Sequence, residues 1–445
     1  MKVGRSITAV AAASALACSM AGCGSSPGST GGEPAGQSSA TIDTPVSLTM
    51  SAWSLSTTPE FQALIDAFKK VQPNITITIK EYAADKLEPL LLADMTAKTA
   101  PDIITFKNSK YVPQWASGGQ LMDVSDLIKP LPENVVGAVS YDVDGKYYGV
   151  PYRQDSWFLY YNKALFEKAG VATPDGTWTW DDYSKAAKEL TTKLAAAGSS
   201  AKGTYEHQWQ STLQGFANAQ AGKEGDPNGP YFSGDFDYML PFYQRALDLQ
   251  DSGAQVNFGE ITTNKLTYQT QFGKQSTAML LMGSWYIATL MSQQKNGDAD
   301  TFDWGIAPAP QIDSSTVKNP VTFGSPTGMG INTSIDPAKI QAAKDFLSFI
   351  WTEDAAKAIA AVGITPAMSS EGVTKALFAV DGMPQDQGSK TAFQTHETFQ
   401  EQPPGKDTMN IATILNAAHT AIMTESQDAQ SALAEASQKV KDKDW

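Results

Sequence analysis

Period-two and period-3.6 hydrophobic patterns alternate along most of this chain, and that alternation predicts its architecture. Val46-Ser47-Leu48-Thr49-Met50-Ser51-Ala52-Trp53 switches between apolar and polar positions, as a half-buried strand does. Pro59 then opens a helix with Phe61, Leu64, Ile65 and Phe68 on one apolar face. Ile75, Ile77 and Ile79 return to period two, a helix around Leu87 to Thr99 follows, and Asp102 to Phe106 reads as a short buried strand. Such a β-α-β-α-β run implies a parallel sheet with right-handed crossovers. Ligands of open α/β sheets bind beyond the carboxyl ends of the strands. Those ends are Trp53 with its loop, and the Lys107-Asn108-Ser109-Lys110 loop.

The alternation continues. Asp144-Gly145, between Tyr141 and Tyr147-Tyr148, reads as a hairpin turn. Trp157 to Tyr161 is a buried strand leading into a helix over Asn162 to Gly170. Thr179 caps a helix whose apolar face is Trp180, Tyr183, Ala187, Leu190 and Leu194. Helices near Tyr238 to Ser252 and Thr263 to Gly273 precede a strand at Thr277 to Met282, which runs into Gly283-Ser284-Trp285 and another helix. Short strands at Phe302 to Pro308 and Gly328 to Asn332, a helix opened by Pro337, and helices over Met409 to Ile422 and Ala429 to Val440 complete the chain. With neither an internal repeat nor a second linker, the expected lobes must be woven together by several crossings.

The first 45 residues follow different rules. Lys2 and Arg5 precede an apolar stretch, Ile7 to Met20, that is shorter than the ~20 residues needed to span a bilayer. This is the pattern of a secretory signal peptide. It ends Met20-Ala21-Gly22-Cys23-Gly24, which resembles a bacterial lipobox, with Cys23 as the residue to be lipidated and Cys18 as a second candidate. Gly24 to Pro45 has almost no large apolar side chain; as a flexible tether it spans roughly 25 Å. Residues 1–22 are therefore expected to be a signal peptide and 23–45 a lipidated linker.

Composition removes whole classes of function. Both cysteines, Cys18 and Cys23, lie in that leader, so the body of the chain can hold no disulfide framework, Cys-based zinc site or thiol nucleophile. Three histidines, His207, His396 and His419, leave little for a multi-His metal site, and no metal or cofactor is expected. A formal charge of -14, from 33 basic and 47 acidic residues, argues against nucleic acid and against electrostatic attachment to anionic lipid. Asp142-Val143-Asp144-Gly145 lacks the later ligands of a calcium loop. His396-Glu397-Thr398-Phe399-Gln400 has Gln where H-E-x-x-H needs its second His. No G-x-x-x-x-G-K-[ST] phosphate loop is present.

Four groups of residues, in order, carry a family resemblance. They are Ala100-Pro101-Asp102-Ile103-Ile104 with Trp115-Ala116-Ser117-Gly118-Gly119-Gln120-Leu121; Asp144-Gly145-Lys146-Tyr147-Tyr148-Gly149-Val150-Pro151-Tyr152 with Leu159-Tyr160-Tyr161-Asn162-Lys163; Ala278 to Trp285; and Gly328-Met329-Gly330-Ile331-Asn332 with Ala342 to Leu347. Together they resemble the extracellular solute-binding proteins of ABC importers, in the carbohydrate-binding, maltose-binding-protein-like group. The resemblance covers nearly all of Val46 to Trp445. It implies a two-lobed α/β clamp of the type II periplasmic-binding-protein kind, monomeric, with an N-terminal lobe of 46–155 and 321–367 and a C-terminal lobe of 156–320 and 368–445. It implies a sugar, an oligosaccharide by preference, closed upon by a hinge and handed to membrane permease subunits at the outer face of the bacterial cytoplasmic membrane.

That reading nominates cleft residues. Trp53 ends the first strand beside a Ser/Thr loop, and Asn108, Ser109 and Lys110 end the third; the alternatives are a core aromatic and a solvated loop. Asp155 precedes the second lobe at the first crossing, and its carboxylate offers about four acceptor sites for sugar hydroxyls, unless Arg153 takes them. Trp285 follows a Gly-Ser break, so its ring either walls the apolar face of a pyranose or packs inward at a helix start. His207 and Trp209 occupy a loop to which the family contributes cleft residues, and Phe323, Gly324 and Ser325 mark the second crossing. The competing function is a secreted glycoside hydrolase with a carboxylate pair ~5–9.5 Å apart, although no spacing among the acids singles out a pair.

Overall fold

The computed structural model describes residues 42–129, 131–222, 229–394, 396–403 and 405–444, which form one compact unit. The signal sequence, Cys18, Cys23 and most of the linker lie outside these residues. The strands are β1 (Val46–Trp53), β2 (Ile75–Tyr82), β3 (Ile103–Phe106), β4 (Asp142–Val143), β5 (Lys146–Tyr147), β6 (Val150–Gln154), β7 (Trp157–Asn162), β8 (Lys202–Tyr205), β9 (Thr277–Gly283), β10 (Trp304–Pro308), β11 (Val321–Gly324), β12 (Pro326–Ile331) and β13 (Glu397–Gln400).

Two sheets divide most of them. The first has the order β2-β1-β3-β12-β6. β1 runs parallel to β2, from Val46 opposite Ile75 to Trp53 opposite Tyr82, and parallel to β3, as the β-α-β-α-β pattern predicts. β12 inserts antiparallel between β3 and β6, a long return from beyond residue 320. The second sheet has the order β10-β7-β9-β8, with β7 antiparallel to both neighbours and β8 parallel to β9. Each sheet builds its own core, one around Met50, Phe61, Ile104 and Phe346, the other around Leu159, Tyr183, Leu280 and Tyr286.

Local chemistry sets the boundaries. Thr179 and Asp182 form a reciprocal capping box at the start of Trp180–Ala196, a device worth about 1 kcal/mol. Asn162 accepts the N–H of Leu165 at 3.1 Å to start Lys163–Ala169, and Gly170 ends that helix at φ 60°. The hairpin turn holds Asp144 at φ 55° and Gly145 at φ 80°, as a two-residue turn of this kind requires. In place of one helix over Thr263 to Gly273 there are two, Phe258–Asn264 and Tyr268–Gly273. Lys265 stops the first at φ 51°, and Thr267 caps the second by accepting the N–H of Thr270.

The two crossings lie side by side. The chain leaves the first sheet after Gln154 and enters the second at Trp157; it returns between Gly324 and Pro326. Asp155 N–H donates to the Ser325 carbonyl at 3.2 Å, and a Cβ on Gly324 would collide with the Asp155 carbonyl oxygen. Gly324 thus permits contact between the crossings themselves. β11 pairs in parallel with β13, a strand not anticipated from the sequence, and Phe323 within it belongs to the second core.

Candidate functional site

A cavity of about 410 Å³ lies where the loop after β3 faces the segment after β13, with Ser325 of the second crossing on its wall. Asn108, Ser109 and Lys110 line one side, joined by Ser140, Asp142 and Asp144 of the hairpin region. Gln400, Glu401 and Lys406 line the other. Among the described residues, none of the cavity's lining side chains is aromatic. Its walls offer hydroxyls, amides and charges of both signs, which suit a ligand dense in hydroxyl groups.

Aromatic side chains gather instead in the second lobe. The Trp285 ring meets Trp157 edge-on at 5.6 Å and lies tilted toward Trp209 at 6.5 Å. A Cβ on Gly283 would run into that ring, so the Gly-Ser break is what lets Trp285 fold back over the end of β9. Its Nε1 donates to the Tyr268 hydroxyl at 3.3 Å. Trp209 packs against His207 at 4.5 Å and Tyr268 at 5.6 Å, yet stays 36% exposed. His207 is buried, with Nδ1 3.0 Å from the Tyr205 hydroxyl, and burial pulls its pKa down to about 4. The imidazole is therefore neutral at pH 7, a shaped wall and not a charge.

The stretch after β8 connects cluster and cavity. Residues Ser211–Gly215 form a π-turn, a form common at functional sites, and the Ser211 hydroxyl donates to Oε1 of Glu401 at 2.6 Å. Trp209 is thereby held two residues from a hydrogen bond to the cavity wall. Behind this loop, Arg245 pairs with Glu206 at 3.1 Å and lies 3.9 Å from the centre of the Trp180 ring.

Asp155 sits between the lobes. Arg153 donates to its Oδ2 at 2.9 Å, and the Ser284 hydroxyl donates to its Oδ1 at 3.1 Å. The other arm of Arg153 reaches Glu60 at 2.6 Å, at the start of helix Glu60–Val71. All three charged groups are buried. Burial raises the pKa of both carboxyl groups against the pull of Arg153; the guanidinium stays charged because the carboxylates outweigh its own desolvation.

Of the residues nominated from sequence, Asn108, Ser109, Lys110 and Ser325 come together in the cavity, and His207, Trp209 and Trp285 in the aromatic cluster. Trp53 is 5% exposed, with its ring edge-on to Phe61 at 5.0 Å. Phe323 is fully buried and stacks on Trp157 at 4.8 Å. Glu401, Gln400, Lys406, Ser140 and Tyr268 escaped sequence reasoning. Polar residues in unpatterned loops carry no periodic signal, and nothing before folding marks the segment after β13 as facing residues 108–110.

The chain belongs to the bacterial extracellular solute-binding protein family, whose model matches residues 54–357. The fold is that of the two-lobed type II periplasmic binding proteins. A sugar transporter of Rhizobium etli, solved in an open conformation, superposes with a TM-score of 0.74 at 28% identity, covering 89% of this chain and 99% of that one. An uncharacterised ABC transporter extracellular-binding protein of Pyrococcus horikoshii is 31% identical over 140 residues, 31% of this chain and 32% of its own length. The arabinooligosaccharide-binding protein of Halalkalibacterium halodurans is 33% identical over 120 residues, 26% of each chain. These matches thus span only about a quarter to a third of the curated relatives. Among the described residues, no helix is long and apolar enough to cross a membrane.

Proposed function

We propose that this protein is the sugar-capturing subunit of an ABC importer, closing its lobes on a carbohydrate and presenting it to membrane permease subunits. The observation that carries the reading is the cavity of about 410 Å³ between the lobes, lined by hydroxyl, amide and charged side chains and tied through Ser211 and Glu401 to an aromatic cluster. Hydroxyls need hydrogen-bond partners on both walls, and the apolar faces of a pyranose need rings. A clamp with partners on both walls favours the closed state only when ligand bridges them, which is all that hinge capture requires. Membership of a solute-binding family, with an arabinooligosaccharide-binding protein and a sugar transporter among its similar proteins, supports a sugar ligand.

In this proposal the first lobe is 46–155 with the chain from Ser325 to about residue 367, and the second holds the remainder, because β11 and Phe323 pack with the second core. Asn108, Ser109, Lys110 and Ser325 meet the ligand directly, and Trp209 and Trp285 supply the ring wall with His207 behind them. Asp155, both oxygens engaged, acts between the lobes. The protein works as a monomer and is held at the outer face of the cytoplasmic membrane by lipid on Cys23.

The test is a thermal-shift screen of the secreted domain against neutral malto-, xylo-, arabino- and chito-oligosaccharides, followed by calorimetry. A ligand at one hundred times its Kd adds about 2.7 kcal/mol to stability, a readily measured shift. An unresponsive protein would sink the sugar reading. Release of reducing ends from the same oligosaccharides would favour the competing hydrolase.

A further inference from the structure

Glu401 is held at four points, and one of its oxygens is left over. Its N–H donates to the Gly324 carbonyl at 3.2 Å, and its own carbonyl accepts from Asn218 Nδ2 at 2.9 Å. Its Oε1 accepts from Ser211 Oγ at 2.6 Å and from Gln210 Nε2 at 3.4 Å. These partners come from three separate elements: the end of β11, helix Phe216–Ala221, and the π-turn with the residue before it. Ser211 and Asn218 are themselves buried, so the clamp is rigid. Among the described residues, Oε2 has no partner in the chain, although Glu401 lines the cavity. The cavity's other acids are placed differently. Asp142 Oδ1 accepts the Gly145 N–H within its own hairpin, and Asp144 sits exposed in the turn.

A carboxylate with one oxygen pinned and the other unspent is a preorganised acceptor, and preorganisation is what converts a contact into affinity. It takes hydroxyl donors and repels a second anion. The lining as a whole points the same way, with Asp142, Asp144 and Glu401 against Lys110 and Lys406. We propose that Glu401 is a specificity-determining residue whose free oxygen accepts hydrogen bonds from the hydroxyls of an uncharged sugar ring, with Ser211 and Gln210 as its positioning residues. The proposal rests on the sugar reading of this cavity and sharpens it to neutral saccharides.

The experiment uses the whole secreted domain and the tightest-binding member of the neutral oligosaccharide array, measured by calorimetry on wild type, Glu401→Gln, Ser211→Ala and the double variant, with unfolding midpoints recorded for each. Glu401→Gln should bind at least tenfold more weakly with a midpoint near that of wild type. Ser211→Ala should lose about threefold alone and nothing further in the Glu401→Gln background, since its action passes through the carboxylate. Oligogalacturonides should bind wild type at least tenfold more weakly than the neutral ligand, and Glu401→Gln should narrow that gap. Should Glu401→Gln unfold, the loss in Ser211→Ala and the wild-type discrimination against oligogalacturonides still decide the matter. Binding by Glu401→Gln within twofold of wild type, an equal Ser211→Ala loss in both backgrounds, or tighter binding of the acidic sugar would overturn the assignment of Glu401 alone. A wild type that binds no member of the array overturns the sugar reading itself, and the role of Glu401 with it.

Discussion

Arg153 and Asp155, two residues apart at the end of β6, meet at 2.9 Å in a buried ion pair that spans the first crossing between lobes. From there the connection continues through Ser284, immediately before Trp285, and back through Glu60 to the first helix. One guanidinium therefore ties the first lobe to the residue that precedes the principal aromatic of the second. Arg153 compensates two buried carboxylates at once, so the cost of a substitution here depends on which charges it leaves unpaired. Arg153→Met strands both Asp155 and Glu60 and should cost about 3 kcal/mol in urea unfolding, whereas Asp155→Ala, which leaves Arg153 paired with Glu60, should cost less. A loss below 1 kcal/mol in Arg153→Met would show that the pair contributes little to the folded state.

Gly324 carries the second crossing past the first. Any Cβ there meets the Asp155 carbonyl, and backbone cannot swing aside as a side chain can. Gly324→Ala should lower stability by about 2 kcal/mol and weaken ligand binding together, because the hinge itself must shift. Wild-type binding and stability in this variant would contradict a close-packed hinge.

Trp285 and Trp209 differ in exposure, and their variants should differ accordingly. Trp209→Ala removes a ring that is 36% exposed and should weaken sugar binding about tenfold with little effect on the unfolding midpoint. Trp285→Ala, which also breaks the contact with Trp157 and the bond to Tyr268, should lose both affinity and stability. Calorimetry with parallel thermal melts separates the two.

Acidification acts through buried histidines. His207 and His419 both have pKa values lowered to about 4 by burial, and His396 is lowered too. A histidine with a depressed folded pKa keeps its full contribution above about 6.5 and loses it as pH falls toward 4, since the unfolded chain takes up the proton first. Each of the first two should cost about 2 kcal/mol by pH 5. Glu60, Asp155 and Glu206, whose carboxyl groups are raised by burial, pull in the opposite sense. His419→Gln should flatten the fall in melting temperature between pH 7 and pH 5; an unchanged slope would remove His419 from the account.

Attachment is tested apart from binding. Cys23→Ser in the full chain should release the protein from the membrane fraction into the medium, whereas Cys18→Ser should leave it anchored. Release by Cys18→Ser alone would move the anchor to that residue.

Much of this protein was legible in its sequence, for a specific reason. Strands such as Val46–Trp53 and helices such as Trp180–Ala196 bury one face, and burial imposes periods of two and 3.6 on neighbouring residues. Caps and turns at Thr179, Asn162 and Asp144-Gly145 are equally local, because each partner is within four residues. The same locality made the strand end before Asn108, Ser109 and Lys110 readable, and the structure sets that loop on the cavity wall.

Only the tertiary structure decided what lies across from them. Glu401 approaches Ser211, 190 residues earlier, and Arg153 reaches Glu60, 93 residues earlier. No sequence period encodes such distances. Asp155 and Gly324 show the consequence: a carboxylate and a glycine suited to a ligand are consistent with sequence logic, but folding brings Arg153, Ser284 and the other crossing to them first. The alternation of hydrophobic and polar residues determined by itself that this chain forms α/β layers. Which polar side chains stay free for a ligand depended on long-range hydrogen bonds, because a donor or acceptor already satisfied within the fold has nothing left to offer.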